Sequence, residues 1–151
     1  MVFDGMAEDD WEHALGGMHA TVWEGDAAVA HGSVMMRRLI LGGRALRCGY
    51  VEAVATRPDR RGVGHATRVM EALAVVIRGG YDIGALGATD MAAPLYRKLG
   101  WLQWRGPLYA LTPDGIVRTP VDEKAVHVLP VADPPDVAAA LTCDWRDGDV
   151  W

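Results

Sequence analysis

What most restricts the fold of this chain is a change of apolar period at its centre. From Ala45 to Thr56 the residues suit an extended strand, centred on Tyr50-Val51-Glu52-Ala53-Val54-Ala55. From Val63 onward the period is helical. Val63, Ala66, Val69, Met70, Leu73, Ala74 and Ile77 recur at steps of three and four, and Gly79-Gly80 closes the run. Between the two lies a basic, glycine-bearing turn, Arg57-Pro58-Asp59-Arg60-Arg61-Gly62-Val63-Gly64. A strand that passes through such a turn into a long amphipathic helix opens a strand–helix–strand unit, and that unit needs a sheet to pack on.

The flanking segments supply the sheet. Asp10 to Leu15 reads as a short helix stopped by Gly16-Gly17, and Met18 to Trp23 as a strand turned by Glu24-Gly25-Asp26. Ala27 to Leu41 reads as a longer strand, with Gly42-Gly43 as the hairpin signal into the strand at Ala45. After the helix, Ile83 to Leu86 is a short buried strand and Met91 to Leu99 a second helix ended by Gly100. Pro94 belongs in that helix's first turn, because deeper it would break the hydrogen-bond ladder. Val126 to Val131 reads as the last strand, and Pro134-Pro135 as a loop or strand edge. Antiparallel strands followed by strand–helix–strand–helix–strand predict an α/β fold, a mixed sheet flanked by helices. With 151 residues, half of them hydrophobic, residues 1–151 suit one domain.

The bulk properties narrow the function classes. A net charge of −5 gives no basic face for nucleic acid and suits a site that attracts cations. No apolar run is long enough to span a bilayer. Met1 to Asp10 is acidic and lacks the basic start and apolar run of a secretory leader. Cys48 and Cys143 form no Cys-x-x-Cys pair, so two reduced thiols in a cytoplasmic protein are expected. No His/Cys cluster has zinc-like spacing, His13, His19, His31, His65 and His127 are scattered, and no metal is expected.

The turn itself carries a chemical expectation. Glycines without side chains let a phosphate approach the backbone, and the first free N–H groups of a helix point at that anion with the helix dipole behind them. Arg57, Arg60 or Arg61 would add charge. The segment reads as an anion cradle suited to a pyrophosphate. A glycine-rich turn with solvated arginines would look the same, and the phosphate-binding Gly-Lys-[Ser/Thr] ending and the Gly-x-Gly-x-x-Gly spacing are both absent.

Here the residues resemble a family. Arg61-Gly62-Val63-Gly64-His65-Ala66 matches the Arg/Gln-x-x-Gly-x-Gly/Ala signature of the GNAT-superfamily N-acetyltransferases, and Ala93-Pro94-Leu95-Tyr96-Arg97-Lys98-Leu99-Gly100-Trp101 is similar to that superfamily's second helix with its aromatic exit. Asp10-Trp11-Glu12-His13, Leu15-Gly16-Gly17-Met18-His19, Leu46-Arg47-Cys48-Gly49-Tyr50-Val51-Glu52 and the terminal Cys143-Asp144-Trp145-Arg146-Asp147-Gly148-Asp149-Val150-Trp151 resemble, more narrowly, the aminoglycoside 2′-N-acetyltransferases of actinobacteria. The superfamily opens with a βα unit before the segment matched here. The resemblance therefore implies a GNAT-like splayed sheet lacking the first strand and most of the first helix.

The resemblance implies acetyl-CoA as co-substrate, held through its pyrophosphate by Arg61, Gly62, Val63, Gly64, His65 and Ala66. It implies direct transfer of the acetyl group to the 2′-amine of an aminoglycoside, without a covalent enzyme intermediate. Glu52 lies in an apolar strand, where alternation puts it on one face with Tyr50 and Val54. A carboxylate there suits deprotonation of the acceptor ammonium, or else a structural ion pair. By resemblance Glu52 is the base, Tyr96 the proton donor to the CoA thiolate, and the Val54 N–H the group that polarises the thioester carbonyl. Tyr96 would serve equally as core packing with Leu95 and Leu99. Asp10, Asp122, Asp149 and the carboxylate of Trp151 resemble the family's substrate-binding acids. A bare acidic tail would be solvated, yet Trp145 and Trp151 are costly to expose, so a docked C-terminus is expected. A homodimer is expected from the superfamily's habit of pairing late edge strands. Two rival readings stay open: acetylation of a peptide, polyamine or metabolite amine, and a non-catalytic CoA-binding module.

Overall fold

Two glycine turns fold the first half of the chain back on itself. Strands β1 (Met18–Glu24), β2 (Ala27–Leu41) and β3 (Arg44–Thr56) form an antiparallel meander. At the second turn Gly42 and Gly43 both take positive φ, 57° and 77°. That backbone matches the twist of a two-residue hairpin and is open to glycine at little cost. This computed structural model describes residues 7–151. The part of the acidic opening that falls on residues 1–6 lies outside the described residues. Before β1, helix α1 (Glu8–Ala14) packs across β2 and β3.

Helix α2 (His65–Gly80) is the crossover that makes β4 (Ile83–Gly87) parallel to β3. It buries His65, Val69, Met70, Leu73, Ala74 and Ile77 against the meander. Full burial of each larger apolar side chain stabilises by roughly 1.5–3 kcal/mol. The apolar period read from the sequence starts at Val63, but Val63 precedes the helix and is 61% exposed. The left-handed Gly64 caps the helix one residue later, so the apolar face starts at His65. Helix α3 (Ala93–Lys98) carries Pro94 in its first turn, as expected.

Four short strands are not legible in the sequence: β5 (Leu102–Gln103), β6 (Leu108–Thr112), β7 (Gly115–Arg118) and β9 (Leu141–Asp144). With β8 (Val126–Pro130) they extend a sheet ordered β5-β8-β4-β3-β2-β9-β6-β7, with β1 also on β2. The expectation that the strand at Val126 is the last is therefore corrected. Beyond it, β9 pairs with β2 at Leu39–Leu41 and with β6 in parallel. At two to five residues these runs are too short for a period to show.

The sheet has an apolar layer on each face. One holds Leu39, Cys48, Tyr50, Trp104, Leu108, Leu141, Cys143 and Trp151; the other holds Val34, Val51, Leu73, Ile77, Tyr96 and Trp101 beneath α2 and α3. Cys48 and Cys143 are free and buried. Two irregularities in β3 open the sheet at its centre. Its pairing with β4 is confined to Cys48, Gly49 and Tyr50, after which the strands part. Its pairing with β2 slips between His31 and Ser33, which face Ala55 and Glu52 respectively. This bulge gives β3 an extra residue and puts Ala53 at φ 51°.

Candidate active site

The bulge corrects one sequence expectation. Strict alternation places Tyr50, Glu52 and Val54 on one face. Instead Tyr50 joins the layer that contains Trp151, while Val54 packs with the layer under α2. One extra residue inverts the alternation, so Glu52 and Val54 no longer share a side. No residue of β2 stands in register with Ala53 or Val54, and β4 has already diverged. Side chains of β2 partly replace the lost ladder, with His31 Nδ1 3.0 Å from the Ala53 carbonyl and Ser33 Oγ donating to the Glu52 carbonyl at 3.3 Å.

At the far end of β3 the glycine-bearing turn leads into α2, the place where the sequence suggests an anion cradle. After a 3₁₀ turn at Pro58–Arg60, Gly62 and Gly64 sit at φ 81° and 90°. A Cβ on either would meet nothing within 4 Å, so conformation rather than crowding calls for glycine there. No side chain caps α2, which leaves its first N–H groups facing the turn. The arginines divide. Arg57 pairs with Asp59 at 2.9 Å, and Arg60 with Glu24 at 2.8 Å and Asp59 at 3.0 Å. Among the described residues Arg61 donates only to the Thr56 carbonyl, at 3.4 Å, so its charge stays available to an anion. His65 is buried, with Nε2 3.0 Å from Glu24 and no partner on Nδ1. Val63 faces solvent and lines none of the cavities beside the cradle.

From the cradle the cleft runs inward through three adjoining cavities. The outer, of about 360 Å³, is lined by Arg61, Gly62, Gly64, His65 and Ala66. The middle, of about 530 Å³, shares Arg61, Gly62 and Ala66 with it and adds Val54, Thr89 and Tyr96. The inner, of about 170 Å³, shares Val54, Thr89 and Tyr96 and adds Glu52, Leu86 and Gly87. Tyr96 and Val54 thus stand between the cradle and Glu52. Tyr96 is 6% exposed, and burial pushes its phenol up to about 12. Its ring lies 6.3 Å from Trp101 and 6.5 Å from His127.

The C-terminal tail is docked through one of the two tryptophans expected to be covered: Trp145 stays 46% exposed. Trp151 is buried, and its indole N–H donates to Thr119 Oγ1 at 2.9 Å. A Cβ on Gly87 would lie 3.4 Å from the Trp151 main-chain oxygen, so the chain's end abuts the inner cavity's wall. The expected acids divide. Asp122 and Asp149 are close enough to interact: burial, and then the charge of Asp149, raises the Asp122 carboxyl above its ordinary range. Asp10 accepts the Ala7 N–H at 3.0 Å at the start of α1. The tail reaches this helix, since His13 Nε2 lies 2.7 Å from the Asp147 carbonyl and Gly148 stands against Asp9.

Sequence reasoning missed two groups. Arg146 donates Nη1 to Glu52 Oε1 and Nε to the Asp149 carbonyl at 2.6 Å. Tyr50 lies beneath two guanidinium groups, with Arg37 at 4.7 Å and Arg146 at 5.3 Å from its ring centre. Burial, and next the Glu52 carboxylate, raise the Tyr50 phenol. Arg37 in turn donates Nε to Asp144 Oδ1 at 2.8 Å. The tail string contains Arg146 and Asp144, but their partners lie about a hundred residues upstream, where no spacing rule reaches. Among the described residues no group of three or more His, Cys, Asp and Glu is placed to hold a metal ion, and no helix is long and apolar enough to cross a membrane.

Comparison with known proteins bears on this geometry. The acetyltransferase (GNAT) domain family matches residues 7–103. An aminoglycoside 2′-N-acetyltransferase of Mycolicibacterium fortuitum is 54% identical over 154 aligned residues, which cover 99% of this chain and 79% of that protein. Among solved structures, a GNAT family acetyltransferase from Brucella melitensis in complex with acetyl-CoA matches with a TM-score of 0.53 at 15% identity, covering 82% of this chain and 63% of that one. Eis1 from Mycobacterium abscessus matches with a TM-score of 0.55 at 18% identity, covering 60% and 23%. The chain thus spans less than two thirds of either solved protein, and at these identities the likeness is one of fold. With a cradle at the start of α2, a splayed β3–β4 pair and these matches, the chain belongs to the GNAT acetyltransferase family, with the aminoglycoside 2′-N-acetyltransferases among its relatives.

Proposed function

We propose that this chain, acting as a single domain over residues 1–151, transfers the acetyl group of acetyl-CoA to the 2′-amine of aminoglycosides. The observation that carries the reading is the cleft whose cavities lead from the cradle, past Tyr96 and Val54, to Glu52. The identity with the Mycolicibacterium fortuitum enzyme supports the acceptor class.

The residues fit acetyl-CoA in a defined order. The N–H groups between Arg61 and Ala66 hold the pyrophosphate, with Arg61 adding charge and the helix dipole favouring the anion. The pantetheine arm lies in the gap between β3 and β4, past the end of their pairing at Tyr50. The Val54 N–H stabilises the oxygen of the tetrahedral intermediate. Asp122, Asp149 and the Trp151 carboxylate bind the polycationic acceptor, with Asp10 at the rim. Glu52 takes a proton from the acceptor ammonium, because only a neutral amine attacks the thioester carbon. As the carbon–sulfur bond breaks, Tyr96 gives its proton to the departing thiolate, and the second proton shed by the attacking nitrogen as it becomes an amide restores the phenol. The raised Tyr96 phenol keeps its proton at any physiological pH. No metal takes part in these steps. The protein works in the cytoplasm, where acetyl-CoA is made, as a homodimer, without nucleic acid or membrane.

A CoA-release assay with tobramycin, which carries a 2′-amine, tests the reading. Turnover with tobramycin, and mass spectrometry placing the acetyl group on that amine, is expected. Turnover with polyamines or peptides alone would favour the rival acceptors. Acetyl-CoA binding without any turnover would favour a binding module.

A further inference from the structure

We propose that Arg146 is the positioning residue for Glu52, so that docking of the C-terminal tail and orientation of that carboxylate are one event. The inference rests on the reading of Glu52 as the base. Glu52 occupies the last regular position of β3 before the bulge, beyond the end of pairing with β4. Pairing with Ser33 of β2 places the Glu52 main chain but does not orient its carboxylate, which a group from outside the strand has to fix. Arg146 is that group. It stands just past β9, and three contacts hold its guanidinium: Nε on the Asp149 carbonyl, its face toward the Tyr50 ring, and Nη1 on Glu52 Oε1. The two side chains are only 15% and 18% exposed, so this pair is shielded from the screening that makes surface ion pairs weak. One carboxylate oxygen is held, while Glu52 still lines the inner cavity beside Tyr96.

The same guanidinium holds the turn that leads to Asp149 and Trp151. A tail that lifts away takes Arg146 with it and leaves Glu52 unsupported. A tail that closes sets the carboxylate and the acceptor-binding acids together. Arg146 touches no residue of the cradle, so its effect falls on chemistry at the acceptor amine and not on capture of the nucleotide.

A double-mutant cycle with tobramycin as acceptor tests this, with isothermal titration of acetyl-CoA as the control. E52Q is expected to lower kcat about 100-fold, the loss of one general base. R146A is expected to lower kcat about tenfold, the effect of a misplaced group, with the acetyl-CoA Kd unchanged. R146K falls between, since an ammonium keeps the charge but not the planar fork. The decisive result is that R146A/E52Q is no slower than E52Q within about twofold, because Arg146 then has nothing left to position. The inference is overturned if R146A keeps the full kcat, or if R146A slows the E52Q enzyme as much as it slows the wild type, since either result means that Arg146 does not act through Glu52. Should E52Q itself turn over at the wild-type rate, the reading of Glu52 as base fails and this inference fails with it, a result distinct from the first two. If R146A loses its cooperative melt, R146K against R146K/E52Q runs the same cycle.

Discussion

Tyr96 is a phenol whose burial suits it to one task. Desolvation raises it to about 12, which favours the protonated form, so the phenol still holds its proton when the thiolate departs. Y96F is expected to lower kcat by roughly 100-fold while leaving acetyl-CoA affinity within about twofold, checked by steady-state kinetics and titration calorimetry. The sign of its pH dependence comes from the direction of the shift. Both folded and unfolded chains carry the protonated phenol below its ordinary value of 10.0, so Tyr96 has its full effect there. Between that value and about 12 the unfolded chain ionises first, and stability declines as pH rises. Chemical denaturation across an alkaline pH series should show a decline that Y96F lessens.

Two elements determine whether the residues meet. The first is the bulge of β3, where Ala53 holds a left-handed conformation that a Cβ makes unfavourable. Replacing it with a β-branched residue at φ 51° adds strain. A53V should lose about 1–2 kcal/mol in thermal unfolding and slow turnover by shifting Glu52 and Val54 relative to each other. A53G should keep both. The second is the uncapped start of α2. G64A puts a Cβ on a residue at φ 90°, and the strain of about 1–2 kcal/mol falls on the loop that holds the pyrophosphate. Acetyl-CoA should bind roughly tenfold more weakly, read by calorimetry, with KM for the acceptor unchanged. Helix α2 itself was legible because sixteen residues give its apolar period room to show, whereas the two residues of β5 and the four of β9 do not.

For the whole molecule, the C-terminal tail is the part on which the acceptor side depends. Trp151 joins the apolar layer of Tyr50, Trp104 and Leu141, and its indole reaches Thr119. W151A should cost about 3 kcal/mol in unfolding free energy, the usual loss for a buried tryptophan. It should also abolish aminoglycoside turnover while acetyl-CoA still binds, because the cradle lies at the other end of the cleft. A loss of nucleotide binding to the same extent would contradict that separation.

Features that depend on neighbours along the chain were legible from the order of residues. The meander came from its hairpin glycines, the crossover helix from a repeated apolar step, and the cradle from glycines and arginines at the mouth of a helix. Local conformational preference acts over a few residues and leaves its mark in their order. The face that Val54 takes was set by folding, because a single extra residue in β3 inverts an alternation that looks regular along the chain. Folding also decided that Arg146 meets Glu52 across 94 positions, and that Asp144 closes on Arg37 across 107. Such contacts form when the strands of a sheet come together, and they join residues by distance in space, a quantity that the order of residues along a chain does not record.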